Sequence, residues 1–266
     1  MDDLVRTENL IARKNGPAGE IIFNNPAKLN AVSLDMWQRL DDVLAEYEQD
    51  PDIRVLVLSG AGEKAFVSGA DISKFESERA TKEAVEAYGA TSKAASNRLY
   101  DFPRPTIAKI RGYCIGGGVG LAVCCDIRIC GERSRFAIPA AKLGVGYGFA
   151  GVKRLADIIG TSRAMEIFYT ARQFTAVEAY EMGLVNRVLP ENILDAYVAG
   201  YTAMIAENAP MTIATIKAVA REISKPSAER DLDKLEAMVA DCFDSEDYVE
   251  GRRAFMEKRK PNFTGA

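Results

Sequence analysis

The sequence predicts an α/β core followed by a C-terminal run of helices. Three observations carry that expectation. IRVLVLSG is a continuous apolar run of strand length without alternation, as a strand covered on both faces is, and TIAKI reads as a second buried strand. Segments with helical spacing lie between such runs. From Gly144 onward the pattern is mostly helical, with no low-complexity segment and no clear internal repeat. The chain has 266 residues, long for one ordinary domain and short for two. A core over residues 1–200 and a helical extension over 201–266 is the simplest division.

Element by element, Leu10 to Ala12 and Ile21 to Phe23 flank the turn signal Asn15-Gly16-Pro17 and read as a hairpin. NNPAKLNAVS reads as a loop. Ser33 is positioned to cap a helix with Asp35 in its first turn, and Trp37, Leu40, Leu44 and Tyr47 share one face of it. Asp50-Pro51 ends that helix. IRVLVLSG reads as a buried strand ending at Gly60, and AFVSGADISKF as a loop turning into a helix. Thr81 to Tyr100 has weak helical amphipathicity and is broken by DFPRP. TIAKI is a second buried strand, followed by a glycine loop and a helix through Cys125. DIRIC and SRFAI read as short strands. Three apolar helix faces follow: Leu194, Val198, Tyr201 and Ile205; then Ile213, Ile216, Val219 and Ile223; then Leu232, Leu235, Val239 and Cys242.

Composition narrows the chemistry. Hydrophobic residues make up 48% of the chain, enough for a large core. A formal charge of -4 argues against nucleic acid as a partner. The N-terminus MDDLVRTENL is polar and reads as no signal peptide, and no apolar run reaches membrane-spanning length, so a soluble cytoplasmic protein is expected. The five cysteines have no metal-site spacing and read as small buried hydrophobes in a reducing compartment. The chain has no histidine. That excludes Ser-His-Asp and Cys-His units and any metal site needing imidazole, and no metal is expected. Acid-base chemistry is left to Asp, Glu, Tyr, Lys, Cys or water.

The segments SGAD and GGG (Gly116 to Gly118) each follow a buried strand and open a helix. Helix starts expose unpaired N–H groups, and glycine lets a ligand approach them closely. The N–H groups of Ala70 and Gly117 are therefore candidate donors of an oxyanion hole, which stabilises an enolate or a tetrahedral oxyanion. Spacing alone favours the alternative, glycines that only allow tight turns and close packing. Gly146, Gly148 and Gly151 match the dinucleotide pattern GxGxxG, but nothing before them reads as a strand, so no nucleotide is expected there.

Six segments in order, NNPAKLNAVS, AFVSGADISKF, RGYCIGGGVGLAVCCDIRIC, RFAIPAAKLGV, AYEMGLVNRVLP and AFMEKRKPNF, make the chain resemble the crotonase superfamily, the enoyl-CoA hydratase/isomerase group, from end to end. The resemblance implies a spiral of ββα units with a C-terminal helical trimerisation region, as a homotrimer or dimer of trimers. It implies an acyl-CoA substrate, with coenzyme A part of the thioester and no separate cofactor. The thioester oxygen would sit between the N–H groups of Ala70 and Gly117. Lys28 and Ala31 would line the nucleotide and pantetheine, and Ala70, Asp71 and Ile72 the adenine end. Phe255 and Lys258 would reach the CoA of a neighbouring subunit.

The two glutamates that hydratases of the family use fall at Gly120 and Ala140, and neither residue moves a proton. KLGVGYGFAGVKRL and the C-terminal tail resemble methylmalonyl-CoA decarboxylase, which has a tyrosine matching Tyr147 but a histidine where this chain has Ala70. The expected function is an acyl-CoA lyase that stabilises a thioester enolate, either by decarboxylating a malonyl-type CoA or by a non-standard hydration. Tyr147 is its polar participant, and Arg154 reads as a helix-surface or interface charge. The alternative is a non-catalytic acyl-CoA-binding protein.

Overall fold

In the computed structural model, residues 6–7, 9–71, 74 and 80–266 are described. Strands β1 (Arg6–Thr7), β2 (Leu10–Asn15) and β3 (Ala18–Phe23) open the chain. The expected hairpin forms: Asn15 pairs with Ala18, leaving Gly16-Pro17 as the two-residue turn, with Gly16 at φ +57. Helix α1 (Leu34–Gln49) follows, then β4 (Val55–Gly60) and β5 (Ala65–Val67). Next come α2 (Lys82–Asp101), β6 (Thr106–Ile110), β7 (Tyr113–Ile115) and α3 (Gly117–Cys124). β8 (Ile127–Gly131), β9 (Arg135–Ala137) and α4 (Ala140–Leu143) complete the repeating part.

The strands sort into two sheets. One has the order β1-β2-β3-β4-β6-β8-β11 and the other β10-β9-β7-β5, where β10 is Phe174–Thr175 and β11 is Arg187–Leu189. β4, β6 and β8 pair in parallel in the large sheet, and β5, β7 and β9 do so in the small one. Each strand pair thus gives one strand to each sheet before the chain moves on, which is the expected spiral of ββα units.

The unbroken apolar run of β4 has a direct cause. Leu56 and Leu58 face the main core, with Phe66, Ala108 and Ile110. Val55 and Val57 face the other way, onto Leu194 and Val198 of helix α8 (Leu194–Ala206). Both faces are covered, so neither needs polar residues. α8 runs across residue 200, where the sequence division between core and extension was drawn.

Four sequence expectations are corrected. Ala65 to Val67 is not loop but strand β5, and the approach to the glycine run holds strand β7. Two short strands, β10 and β11, interrupt the mostly helical part. Ser33 occupies the N-cap position of α1 but makes no capping bond; its hydroxyl donates to the Asp35 carboxylate at 2.5 Å instead. Thr81 does cap α2, accepting from the Ala84 N–H at 3.2 Å.

The remaining helices are α5 (Phe149–Ile159), α6 (Thr161–Thr170), α7 (Ala176–Glu181), α9 (Pro210–Ile223), α10 (Leu232–Asp244) and α11 (Glu246–Glu257). On α9 and α10, Ile216, Ile223, Leu232, Val239 and Phe243 are exposed. Among the described residues no helix is long and apolar enough to cross a membrane, and no cluster of metal-ligating side chains occurs. Four of the five cysteines are buried and all are free thiols, as expected for small hydrophobes.

Candidate active site

Two loops meet at the start of α3. The first is the segment after β5. Val32 N–H donates to Gly69 C=O at 2.8 Å, and Asp71 N–H donates back to Val32 C=O at 3.0 Å. In such a parallel bridge the middle residue, Ala70, turns its own N–H away from Val32. That N–H donates to no backbone acceptor among the described residues. The second loop is the glycine run. Gly117 is the first residue of α3, so its N–H has no acceptor within the helix and sits at the positive end of the helix dipole.

Each glycine of the run has its own physical reason. Gly116 has φ +54, a left-handed conformation that side chains resist. A Cβ on Gly118 would stand 2.1 Å from the Val67 carbonyl oxygen, so packing against β5 requires glycine there. Gly117 has neither constraint. A Cβ on it would meet the Cα of Gly69 at 3.8 Å, an ordinary contact. That contact also shows the two loops touching.

The segment 25–32 is clamped to the first loop. Leu29 and Asn30 both have positive φ, 53 and 56. The fully buried Asn30 side chain donates to the carbonyls of Ala61 and Ala65 and accepts from Asn25 N–H, which holds the strained turn in place. Lys28 Nζ lies 2.9 Å from the buried Asp71 carboxylate. Lys28, Ala31, Ala70 and Asp71 are therefore neighbours. Ile72 lies outside the described residues.

A cavity of about 570 Å³ runs along α3 from Gly117 past Gly120 to Cys124, walled by α2 and α5. Tyr147 lines it, with its ring edge-on to Phe168 at 4.9 Å. Burial lifts the Tyr147 phenol above its ordinary value of 10.0, so it is a neutral donor at pH 7. A Cβ at Gly120 would meet nothing within 4 Å, so this position opens into free space. Ala140 is buried. No Asp or Glu is among the described residues that line the cavity. The GxGxxG match is a coincidence of spacing: α4, not a strand, precedes Gly146, and Gly148 and Gly151 line this cavity.

Other expected positions fall elsewhere. Ala70 does not line the cavity; it stands one residue beyond Gly69 at the loop contact. Phe255 is 83% exposed and lines a separate groove of about 670 Å³ between α9, α10 and α11. Lys258 caps α11 with φ 55, and neither residue is among those lining the α3 cavity on its own chain. Of the two readings of Arg154, helix-surface or interface charge, the first is corrected. Arg154 lines the cavity, donating to Asn97 Oδ1 at 2.7 Å and to Cys124 Sγ at 3.4 Å. Sequence reasoning did not single out Asn97, Lys93 or Cys124 as site residues. Asn97 and Lys93 lie on α2, whose weak amphipathicity is the signal of a helix that covers a pocket, whereas Cys124 lies on α3 and reads in the sequence only as a buried hydrophobe.

The family model for enoyl-CoA hydratase/isomerase matches residues 13–266. A crotonyl-CoA hydratase of Syntrophomonas wolfei is 34% identical over 96% of this chain and 98% of its own. A peroxisomal Delta(3,5)-Delta(2,4)-dienoyl-CoA isomerase of Arabidopsis thaliana is 35% identical over 95% of each chain. The crystal structure of an enoyl-CoA hydratase/carnithine racemase from Magnetospirillum magneticum superposes with a TM-score of 0.90 at 34% identity, covering 98% of this chain and 97% of that one. Matching along nearly its whole length in sequence and in fold, the chain belongs to the enoyl-CoA hydratase/isomerase (crotonase) family of acyl-CoA enzymes.

Proposed function

We propose that the protein holds an acyl-CoA thioester oxygen on the N–H groups of Ala70 and Gly117 and decarboxylates a short malonyl-type CoA. The Cα–carboxylate bond breaks, its electron pair passes into the thioester enolate, and CO2 leaves. A proton then returns to Cα from the Tyr147 hydroxyl or water. Two converging N–H donors stabilise the enolate oxygen, each worth about 3 kcal/mol of transition-state stabilisation. The observation that supports this reading is the absence of any Asp or Glu among the described residues lining the cavity, with Gly120 open to it. Hydration needs groups that move protons to and from water; loss of CO2 supplies its own carbanion.

In this reading Lys28, Ala31 and Asp71 border the CoA, and Ile72 belongs with them. The exposed apolar faces of α9 and α10 associate in a trimer or dimer of trimers, which brings Phe255 and Lys258 to a neighbour's CoA. A cytoplasmic setting accords with the free thiols. Parallel incubation with methylmalonyl-CoA and crotonyl-CoA tests the reaction. Propionyl-CoA and CO2 are expected from the first, with negligible hydration of the second. Faster conversion of crotonyl-CoA would overturn decarboxylation in favour of hydration. Tight acyl-CoA binding with turnover of neither would favour the non-catalytic alternative.

A further inference from the structure

The cavity carries a charge that nothing in the described chain neutralises. Two cations line it, Lys93 at its exposed rim and Arg154 deeper in, and no Asp or Glu lines it among the described residues. The chain as a whole has 38 acidic against 34 basic residues, so a wall with only cations runs against its composition. Arg154 contrasts with its neighbour Arg221. Both guanidinium groups stack on the Tyr100 ring, at 4.5 and 3.7 Å. Arg221 has a counter-ion, with Asp126 at 2.7 Å, and Asp126 also pairs with Lys217. Arg154 has no carboxylate within ion-pair distance among the described residues. Its partners are an amide oxygen and a thiol. Burial pushes the Cys124 thiol up, so it stays neutral at pH 7 and gives no counter-charge.

A guanidinium has five N–H donors. Two are engaged here, which leaves three for a ligand. A partly buried cation with spare donors facing a cavity is a site for an anion, and a carboxylate matches its planar fork.

We propose that Arg154, braced by Asn97, is the recognition site for a carboxylate at the far end of the acyl group, so that the preferred ligands are CoA monothioesters of dicarboxylic acids. The distance along α3 sets the chain length. Cys124 lies seven residues beyond Gly117, about 10 Å at the helical rise. Allowing a hydrogen bond of about 2.9 Å at each end leaves roughly 5 Å, the span of an acyl chain of about four carbons. A carboxylate that leaves as CO2 sits on Cα beside Gly117, nearly two turns away. The group held at Arg154 is a separate carboxylate that stays. The inference rests on the reading of this cavity as the acyl pocket and is independent of which bond breaks.

The test is binding of saturated thioesters, which separates recognition from chemistry. Dissociation constants of succinyl-CoA and butyryl-CoA, equal in length and differing in one terminal carboxylate, are measured for the wild type, Arg154→Met and Lys93→Met. The wild type is expected to bind succinyl-CoA roughly 10-fold or more tighter, the worth of a charge-assisted bond. Arg154→Met is expected to lose that preference while keeping its butyryl-CoA affinity, which shows that the pocket is still folded. Lys93→Met is expected to retain the preference. Equal or tighter binding of butyryl-CoA by the wild type overturns the proposal. So does a preference that survives Arg154→Met or that disappears with Lys93→Met instead. Failure of both thioesters to bind would overturn the acyl-pocket reading, a different outcome from failure of charge recognition.

Discussion

The Cα of Gly69 lies 3.8 Å from the point where a Cβ on Gly117 would stand. One methyl group therefore fits between the two loops without a clash, and it would sit beside the Gly117 N–H, one of the two proposed oxyanion donors. Gly117→Ala is expected to fold with a melting temperature near that of the wild type and to lose turnover by about 100-fold, as a misplacement of about 1 Å at a reacting centre does. Gly118→Ala is expected to behave oppositely, losing about 2 kcal/mol or more of stability, because its Cβ would collide with the Val67 carbonyl at 2.1 Å. Thermal melts and initial rates on both variants check this. Equal stability of the two would show that the glycine run has a different basis.

Gly120 offers the reverse experiment. Its Cβ direction is open, and a glutamate favours the helix by up to about 1 kcal/mol over glycine. Gly120→Glu is expected to be at least as stable as the wild type and to repel carboxylate-bearing acyl-CoA. Crotonyl-CoA hydration rising above background would be its positive signature. Calorimetry and a hydration assay follow the two effects.

Tyr147→Phe keeps the ring against Phe168 and removes only the hydroxyl. Turnover is expected to drop by about 100-fold if the phenol returns the proton, with little change in stability. The pH profile has a definite sign. Burial places the phenol above 10.0, so the donor form is complete at lower pH and is lost only as pH rises through that lifted value. A flat rate from pH 6 to 9 is expected for this limb. A fall in that window belonging to Tyr147 would contradict its assignment.

Lys28 reaches the buried Asp71 across the two clamped loops. Because Lys28 is half exposed, Lys28→Met is expected to cost only about 1 kcal/mol of stability. It is expected to weaken CoA binding roughly 10-fold, with kcat nearly unchanged. Isothermal titration with CoA separates the two effects.

The tail after α11 folds back onto Glu250, which accepts from Arg259, from Arg253 and from Asn262 N–H. These partners, Arg259 foremost, hold the carboxyl well below its ordinary value of 4.5. A depressed carboxyl contributes stability that is complete above the unfolded value and is lost as pH falls through the folded one. Protection of the Asn262 amide from hydrogen exchange is expected to hold from pH 7 down to about 4.5 and to weaken below it. Glu250→Gln is expected to remove that dependence.

The sequence by itself determined the periodic elements. A continuous apolar run fixed β4, because both faces of that strand meet apolar partners. Asn15-Gly16-Pro17 fixed the hairpin. Tertiary structure decided what depends on neighbours. Strands as short as β5, β7 and β10 carry too few residues to show a period, and only pairing across the second sheet defines them. Gly116, Gly117 and Gly118 look alike in a string; φ, a carbonyl 2.1 Å away and a neighbouring loop tell them apart. Arg154 shares its helix with surface charges, and its place in the cavity follows from how α5 packs across α3. Local pattern specifies what a segment buries, whereas the partners of a charge are set by segments far away in the chain.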